Sequence, residues 1–516
     1  LPTVAERKRQ ALELLARWGE QNTNRALAIL ATGGDTAEAE KLLAVQSDYI
    51  RRRFDCSDFY LVYYPYILRT FGKRGSGILS EKTENELTDC LLGFRYWIDE
   101  PGNDAMWFWS ENHALMFHTC QLLAGELFPD EVFTNSGLTG RQMQAKAKNM
   151  LYDWFVTFRK EGFTEWNSSP YLPIDTLGFG SLYAFAQDPA MRELGREGMD
   201  FAYYLLAVHS QQGIFASSSG RTYIKEQFGN WSNCPSGLSW IGYGYGVPGH
   251  AGKGITSYCL SDYEPPKEFA QWFSIPRGKE MICQTTQGND GYVDLYTYKT
   301  ADYMMTSAND FHPGEPGHQE NPFQLTFNAV AQLWVTHPGE RVLFGAARPS
   351  YWAGNGTLPK VNQYKAFAGL IYDIAPEHPV DFTHLYLPSM EFDRCEVEGK
   401  WAFVQLGSAY AAVYCSNGMR MQDFGSNKDR ECIAEGRRCI WLVRAAQADE
   451  FAAFEDFKAA MRGAALDADA EGRRYRFVDP VYGELRCQWG ETLYVNDAPM
   501  QYSGFDNYGK LTMQEK

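Results

Sequence analysis

The sequence predicts two layers of different class, helices through the first half and antiparallel strands through the second. Three observations carry this. Apolar residues recur with a 3.6-residue period from Ala5 to about Gln211. Gly, Ser, Tyr and Trp then crowd the stretch Gly213–Gly254. From about Met281 the apolar residues alternate with a period of two between Gly, Asn, Asp and Pro turns. A run of helices followed by a run of strands excludes a parallel βαβ sheet. A chain of 516 residues also exceeds the size at which one core stops growing. The expected division is 1–262, helical, and 263–516, antiparallel β.

The helical stripes come in order. Ala5–Ala31, Thr36–Arg53 and Phe59–Phe71 open the series, and Glu81–Ile98, Glu111–Leu127 and Leu138–Arg159 continue it. Pro173–Ala186 and Met191–Ser210 complete it. Short polar links between them suit antiparallel helix pairs. The region Gly213–Gly254 is long for a connection, and its aromatic content points to a functional loop rather than a disordered one. Strands follow at Tyr292–Tyr298, Leu325–Val335, Lys365–Ile374, Trp401–Leu406, Ala409–Tyr414 and Arg438–Val443, then Tyr475–Val478 and Leu493–Val495. Glu450–Met461 reads as a lone helix.

Composition narrows the function classes. The net charge of −16 argues against a broad nucleic-acid surface. No apolar run is long enough to span a membrane. The 11 cysteines are scattered and form no C-x-x-C pair, which favours free thiols and a cytoplasmic setting. The chain starts at Leu1 with no visible signal peptide, and a trimmed leader would make it secreted or periplasmic instead. Aromatics reach 15%, enough to supply platforms on which sugar rings stack.

Four constellations carry chemistry. The first is Trp107–His118, where an aromatic run meets Ser110, an expected N-cap, and an apolar helix. Glu111, Asn112 and His113 fall in its first turn, where free N–H groups and the helix dipole attract an anion. The second is Glu165–Tyr171, containing Trp166, Asn167 and a stiff Ser169–Pro170 step before the next helix. The third is Gly220–Tyr223, with Arg221 and Tyr223. The fourth is the polar loop Asp310–Glu320, with His312 and His318.

These residues resemble one group of proteins. An Asn-His pair at a helix start, here Asn112-His113, and a tyrosine in a later loop, here Tyr171, are similar to the polysaccharide lyases of the (α/α) toroid type. Heparinase II/III-like and alginate or glucuronan lyases belong to that group. The resemblance implies an incomplete (α/α) toroid barrel followed by a C-terminal antiparallel β-sandwich. It implies Asn112, His113 and Tyr171 as catalytic residues; Arg221 joins them on its chemistry, as a charged donor to the carboxylate. Tyr223, Trp109, Trp166, Asn167 and Glu111 are the expected substrate contacts, together with His318 and His312 as the best-placed candidates for the family's β-domain histidine, and no resident cofactor or metal is expected. The expected partner is an acidic polysaccharide or oligosaccharide.

The implied chemistry removes the C5 proton of a uronic acid and expels the 4-O-linked sugar. Neutralising the adjacent carboxylate stabilises the enolate-like transition state. Asn112 can donate an amide N–H, and His113 or Arg221 a charged one. A tyrosine beside a cation can act as base and then protonate the leaving oxygen. In an anti elimination, His113 or a β-domain histidine takes the proton and Tyr171 serves as acid. Tyr223 is the alternative base, and Glu226 the alternative partner for Arg221. Asp310, His312 and His318 are the candidate ligands should a structural metal be present. Two other readings stay open. A toroid glycoside hydrolase would use paired carboxylates from Asp104, Glu111, Glu165 and Asp175. A non-catalytic protein would only bind acidic sugar.

Overall fold

The computed structural model describes residues 2–229, 231, 233–246, 248, 254–288 and 291–516. The first half is helical: α1 Val4–Trp18, α2 Thr23–Ala31, α3 Thr36–Arg51, α4 Asp58–Leu61, α5 Tyr64–Phe71 and α6 Glu81–Gly93. There follow α7 Glu111–Leu127, α8 Gly140–Glu161, α9 Leu172–Phe185 and α10 Pro189–Val208. Short helices α11 Ile224–Gln227, α12 Ser236–Tyr243, α13 Ile255–Cys259 and α14 Ala270–Phe273 complete this half. The chain forms two compact units. The first comprises Leu1–Arg159, Pro170–Leu205 and Cys234–Phe269; the second comprises Lys160–Ser169, Leu206–Asn233 and Ala270–Lys516.

Within the first unit the helix neighbours close on themselves. α1 packs on α2, α2 on α3, α3 on α4, α4 on α7, α7 on α9, α9 on α13, and α13 on α1. Buried cations on α1 help close the ring. Arg7 donates to the carbonyls of Ile241 and Gly242 near the end of α12, and Lys8 to that of Ser261. A cation suits the carbonyl end of a helix.

Two expected helices are each split. The stripe Ala5–Ala31 breaks at Gly19, whose N–H still caps the carbonyl of Leu15, and Asn22 restarts the chain by capping Asn24. The stripe Phe59–Phe71 breaks at Val62–Tyr63, just before Pro65, which sits in the first turn of α5. The long loop Gly213–Gly254 contains α11 and α12 and ends at the residue before α13. Asn230, Ser232, Val247 and Gly249–Lys253 of that loop lie outside the described residues.

Gly254 shows how tightly the ring is built. It holds a left-handed conformation (φ 95°) ahead of α13, and a Cβ there would stand 2.0 Å from the carbonyl oxygen of Pro173 at the start of α9. Gly254→Ala is therefore expected to destabilise the fold by about 1–3 kcal/mol through strain and overpacking. A lowered urea midpoint measures this, and an unchanged midpoint contradicts it.

Among its described residues the second unit holds three antiparallel sheets. A nine-stranded sheet runs Arg420–Met421, Glu431–Glu435, Phe382–Tyr386, Gln332–Thr336, Phe323–Thr326, Met304–Asn309, Val293–Lys299, Lys279–Gln287 and Lys510–Glu515. A six-stranded sheet runs Lys360–Tyr364, Phe367–Asp373, Arg438–Gln447, Ala409–Cys415, Trp401–Leu406 and Arg394–Glu398. One core joins the two faces, with Tyr298, Phe323 and Leu333 from the first and Leu370, Phe403 and Ile440 from the second. Phe454, Phe457 and Met461 of helix α15, Phe454–Gly463, pack into the same core. This is the antiparallel sandwich that the alternating pattern predicts. A five-stranded sheet over residues 466–499 adds Tyr475, Phe477 and Leu485. Strands such as Met304–Asn309 and Ala409–Cys415 are buried along their whole length, so alternation alone does not reveal all of them.

Candidate functional site

In the first unit, α7 starts where expected. Ser110 caps by position but not by its side chain; its hydroxyl donates to Asn112 Oδ1 at 3.3 Å. That contact turns the amide so that Nδ2 points elsewhere. Nδ2 is buried and has no hydrogen-bond partner among the described residues, with Asn112 only 5% exposed. A buried donor without a partner carries a desolvation cost that a ligand oxygen would relieve.

His113 is the next residue, and its ring is fixed from three sides. Phe59 stacks on it (4.8 Å between centroids, 8° between planes) and Phe117 lies behind (5.9 Å). Nδ1 meets Asp58 Oδ2 at 2.8 Å. Burial alone would push the imidazole down, but the buried Asp58 carboxylate outweighs it and raises His113 to about 10. Burial pushes the Asp58 carboxyl up, and the imidazolium opposes that rise. The pair therefore keeps its proton on His113 at neutral pH. Nothing in the sequence reading singled out Asp58. The signal was the polar run Asp55–Asp58 between two apolar helices, immediately before a phenylalanine.

Upstream, Trp107 and Trp109 stand exposed, 52% and 64%, with ring centroids 5.6 Å apart. Trp107 holds φ 52°, which lifts the pair out of regular structure. Exposed paired indoles suit a sugar platform. Glu111 is half-buried, and its carbonyl accepts from Trp154 Nε1 at 3.1 Å. Tyr171 is the half-buried residue at the start of α9, and its carbonyl accepts from the N–H groups of Ile174 and Asp175. α9 packs directly on α7: a Cβ at Gly178 would lie 2.7 Å from Leu115.

The other predicted residues belong to the second unit. Arg221 Nη1 pairs with Glu165 at 2.9 Å rather than with Glu226, and its Nη2 reaches the Tyr223 hydroxyl at 3.4 Å. Arg348 lies over the same tyrosine ring, 5.5 Å from its centroid. Partial desolvation and the nearby Arg221 and Arg348 guanidiniums hold His318 below its ordinary value. Backbone bonds from Ser219 to Asn321 and from Thr222 to Gln319 tie these loops together. Arg348 was not among the residues the sequence pointed to, because a lone Arg-Pro step in a loop carries no pattern.

Some predicted residues take another place. Trp166, expected at a sugar subsite, is 1% exposed and packs with Leu295, Phe311 and Leu358. Asn167 is buried with φ 49°, and both polar atoms of its side chain lack partners among the described residues. His312 is exposed and faces Glu315 at 3.4 Å. Asp310 is taken by Lys360 and Asn362, so the loop Asp310–Glu320 does not assemble a metal-ligand set. Of the carboxylates a hydrolase would use, Asp104 is paired with Arg53 and Arg95 and Glu165 with Arg221.

No family model and no curated protein matches this chain. Among solved structures, the chain is similar to heparinase III, at 9% identity over 91% of this chain and 81% of that one, with a TM-score of 0.39. A heparinase III gene product aligns at 11% identity over 96% and 83%, with a TM-score of 0.40. The Streptomyces coelicolor A3 chondroitin AC lyase, in complex with chondroitin sulphate, aligns at 12% identity over 96% and 80%, with a TM-score of 0.39.

Proposed function

We propose that this protein is a polysaccharide lyase that cleaves a uronic-acid-containing polysaccharide by β-elimination. The observation that carries the reading is the pair Asn112 and His113. A buried amide donor without a partner among the described residues sits beside an imidazolium in the first turn of a helix. A sugar carboxylate would satisfy the amide, meet the charge and lie at the positive helix end. With its carboxylate neutralised, the sugar can release its C5 proton as an enolate-like species. Tyr171 is the proposed proton carrier, taking the proton and returning one to the departing 4-oxygen. The exposed Trp107 and Trp109 would stack flanking sugars.

A second assignment of the base is favoured by one specific contact. The Tyr223 hydroxyl lies 3.4 Å from Arg221, where a guanidinium stabilises negative charge developing on the oxygen. In that assignment Tyr223 moves the proton.

Incubation with alginate, glucuronan, chondroitin and heparan chains tests the class. Elimination yields a new ultraviolet-absorbing double bond at the non-reducing end. New reducing ends without that absorbance would mean hydrolysis, and binding without cleavage would mean a sugar-binding protein. Asn112→Ala is expected to lower kcat by about 10²–10³-fold, as when one donor to a developing oxyanion is removed. A kcat within a factor of three of wild type would remove Asn112 from the carboxylate site.

A further inference from the structure

Asp58 holds one nitrogen of His113, and the loop just before it approaches the other. Asp55 Oδ1 lies 3.8 Å from His113 Nε2. The thiol of Cys56 joins them, so that one ligand atom from each of Asp55, Cys56 and His113 lies within 4.8 Å of the others. Among the described residues no other three His, Cys, Asp or Glu side chains converge in this way. The loop is shaped for it. Cys56 holds a left-handed backbone (φ 65°), and its N–H donates to Asp55 Oδ1 at 2.9 Å. A non-glycine residue adopts that conformation at a cost, and such strain gathers at functional positions.

We propose that Asp55, Cys56 and His113 bind a zinc ion, with Asp58 orienting His113 from behind. Tetrahedral zinc with bonds of about 2.0–2.3 Å needs its ligand atoms about 3.3–3.8 Å apart. The His113–Asp55 separation already falls at that limit. A metal-bound histidine typically donates its second ring N–H to a carboxylate, which is the role Asp58 fills at 2.8 Å. Asp58 is fully buried while Asp55 is half-exposed, so the ion would keep an open side. A thiolate, an imidazole and a carboxylate suit zinc rather than calcium or magnesium, which prefer all-oxygen ligands. Two anionic ligands match the double charge of the ion. The same carboxylate beside a bare thiolate–imidazolium pair would repel the thiolate, which counts against a simple cysteine nucleophile. Binding displaces one proton from His113 Nε2 and one from the Cys56 thiol. In the zinc-bound chain His113 would be neutral, so the imidazolium that the lyase reading uses belongs to the metal-free chain.

The site is tested on the full chain, dialysed against a chelator and titrated with zinc chloride by calorimetry. One ion per chain is expected. Losing an orienting partner typically costs about 10–100-fold in metal affinity. Cys56→Ser and Asp55→Asn remove direct ligands, so each is expected to cost at least the upper end of that range. Both positions are partly exposed, so these variants should fold; His113→Ala, which strands Asp58, is avoided. Cobalt in place of zinc should give a thiolate charge-transfer absorption that Cys56→Ser abolishes. No zinc binding by the wild-type chain, or binding unchanged in both variants, overturns the proposal. Rapid alkylation of Cys56 that zinc does not slow overturns it too, pointing to a reactive thiol instead. Zinc binding without cleavage of any uronic-acid polymer would leave the metal site standing and remove the lyase reading; cleavage without zinc binding would do the reverse.

Discussion

Tyr171→Phe is expected to abolish turnover while leaving polymer binding almost intact. The substitution keeps the aromatic ring at the start of α9 and deletes only the hydroxyl. Proton transfer acts in the transition state, so its loss lowers kcat without weakening the ground-state complex. General acid–base help is worth about 10²–10⁴-fold. One hydroxyl serving first as base and then as acid should cost at least the upper end. Single-turnover absorbance measurements with saturating polymer, beside a binding titration, separate the two effects. A variant within about tenfold of wild-type rate lies well outside that range and would take Tyr171 out of the chemistry. The parallel Tyr223→Phe variant decides between the tyrosines. Should Tyr223→Phe be inactive and Tyr171→Phe active, the Arg221 contact identifies the base.

The second large effect is acid unfolding. His118, His209 and His337 are buried, and burial pushes each imidazole down to about 3. His209 Nε2 and His337 Nδ1 have no hydrogen-bond partner among the described residues, so a proton there gains no acceptor. In the unfolded chain the same groups titrate near 6.5. As pH falls below 6.5 the unfolded chain takes up protons that the folded one refuses, so stability drops. The stability is complete above about 6.5 and is lost progressively toward 3. Each group costs about 1.4 kcal/mol per pH unit in that window, so three cost roughly 8 kcal/mol between pH 6.5 and 4.5. That is comparable with the whole stability of an ordinary domain. Circular dichroism against pH should therefore show unfolding well above pH 3. His337→Gln keeps a donor for the Val380 carbonyl that His337 Nε2 now meets at 3.1 Å, and it should move the midpoint to lower pH. A chain that stays folded at pH 3.5 would contradict this account.

Much of the fold was legible in the sequence because its signals are local. The stripe of α7, the helix start at Glu111 and the switch to alternation after residue 280 depend on neighbours along the chain. Breaks inside the helices were not legible. Gly19 and the Val62–Tyr63 step interrupt stripes whose apolar period runs on undisturbed, because the stripe reports the buried face and not the backbone path.

The site divides along the same line. Sequence by itself determined that Asn112 and His113 share the first turn of a buried helix after an aromatic run, since capping and period settle that locally. Only the tertiary structure decided what surrounds them. Asp58 comes from another helix to put a charge on His113, and Asp55 and Cys56 come from the loop before it. It was likewise the tertiary structure that buried Trp166 while leaving Trp107 and Trp109 in solvent, though all three are indoles in polar, aromatic-rich stretches. It also paired Arg221 with Glu165, far away in sequence, instead of nearby Glu226. The physical reason is common to all of these. Desolvation and charge pairing act through space at a few ångströms, and residue types alone do not specify which distant groups will lie within that reach.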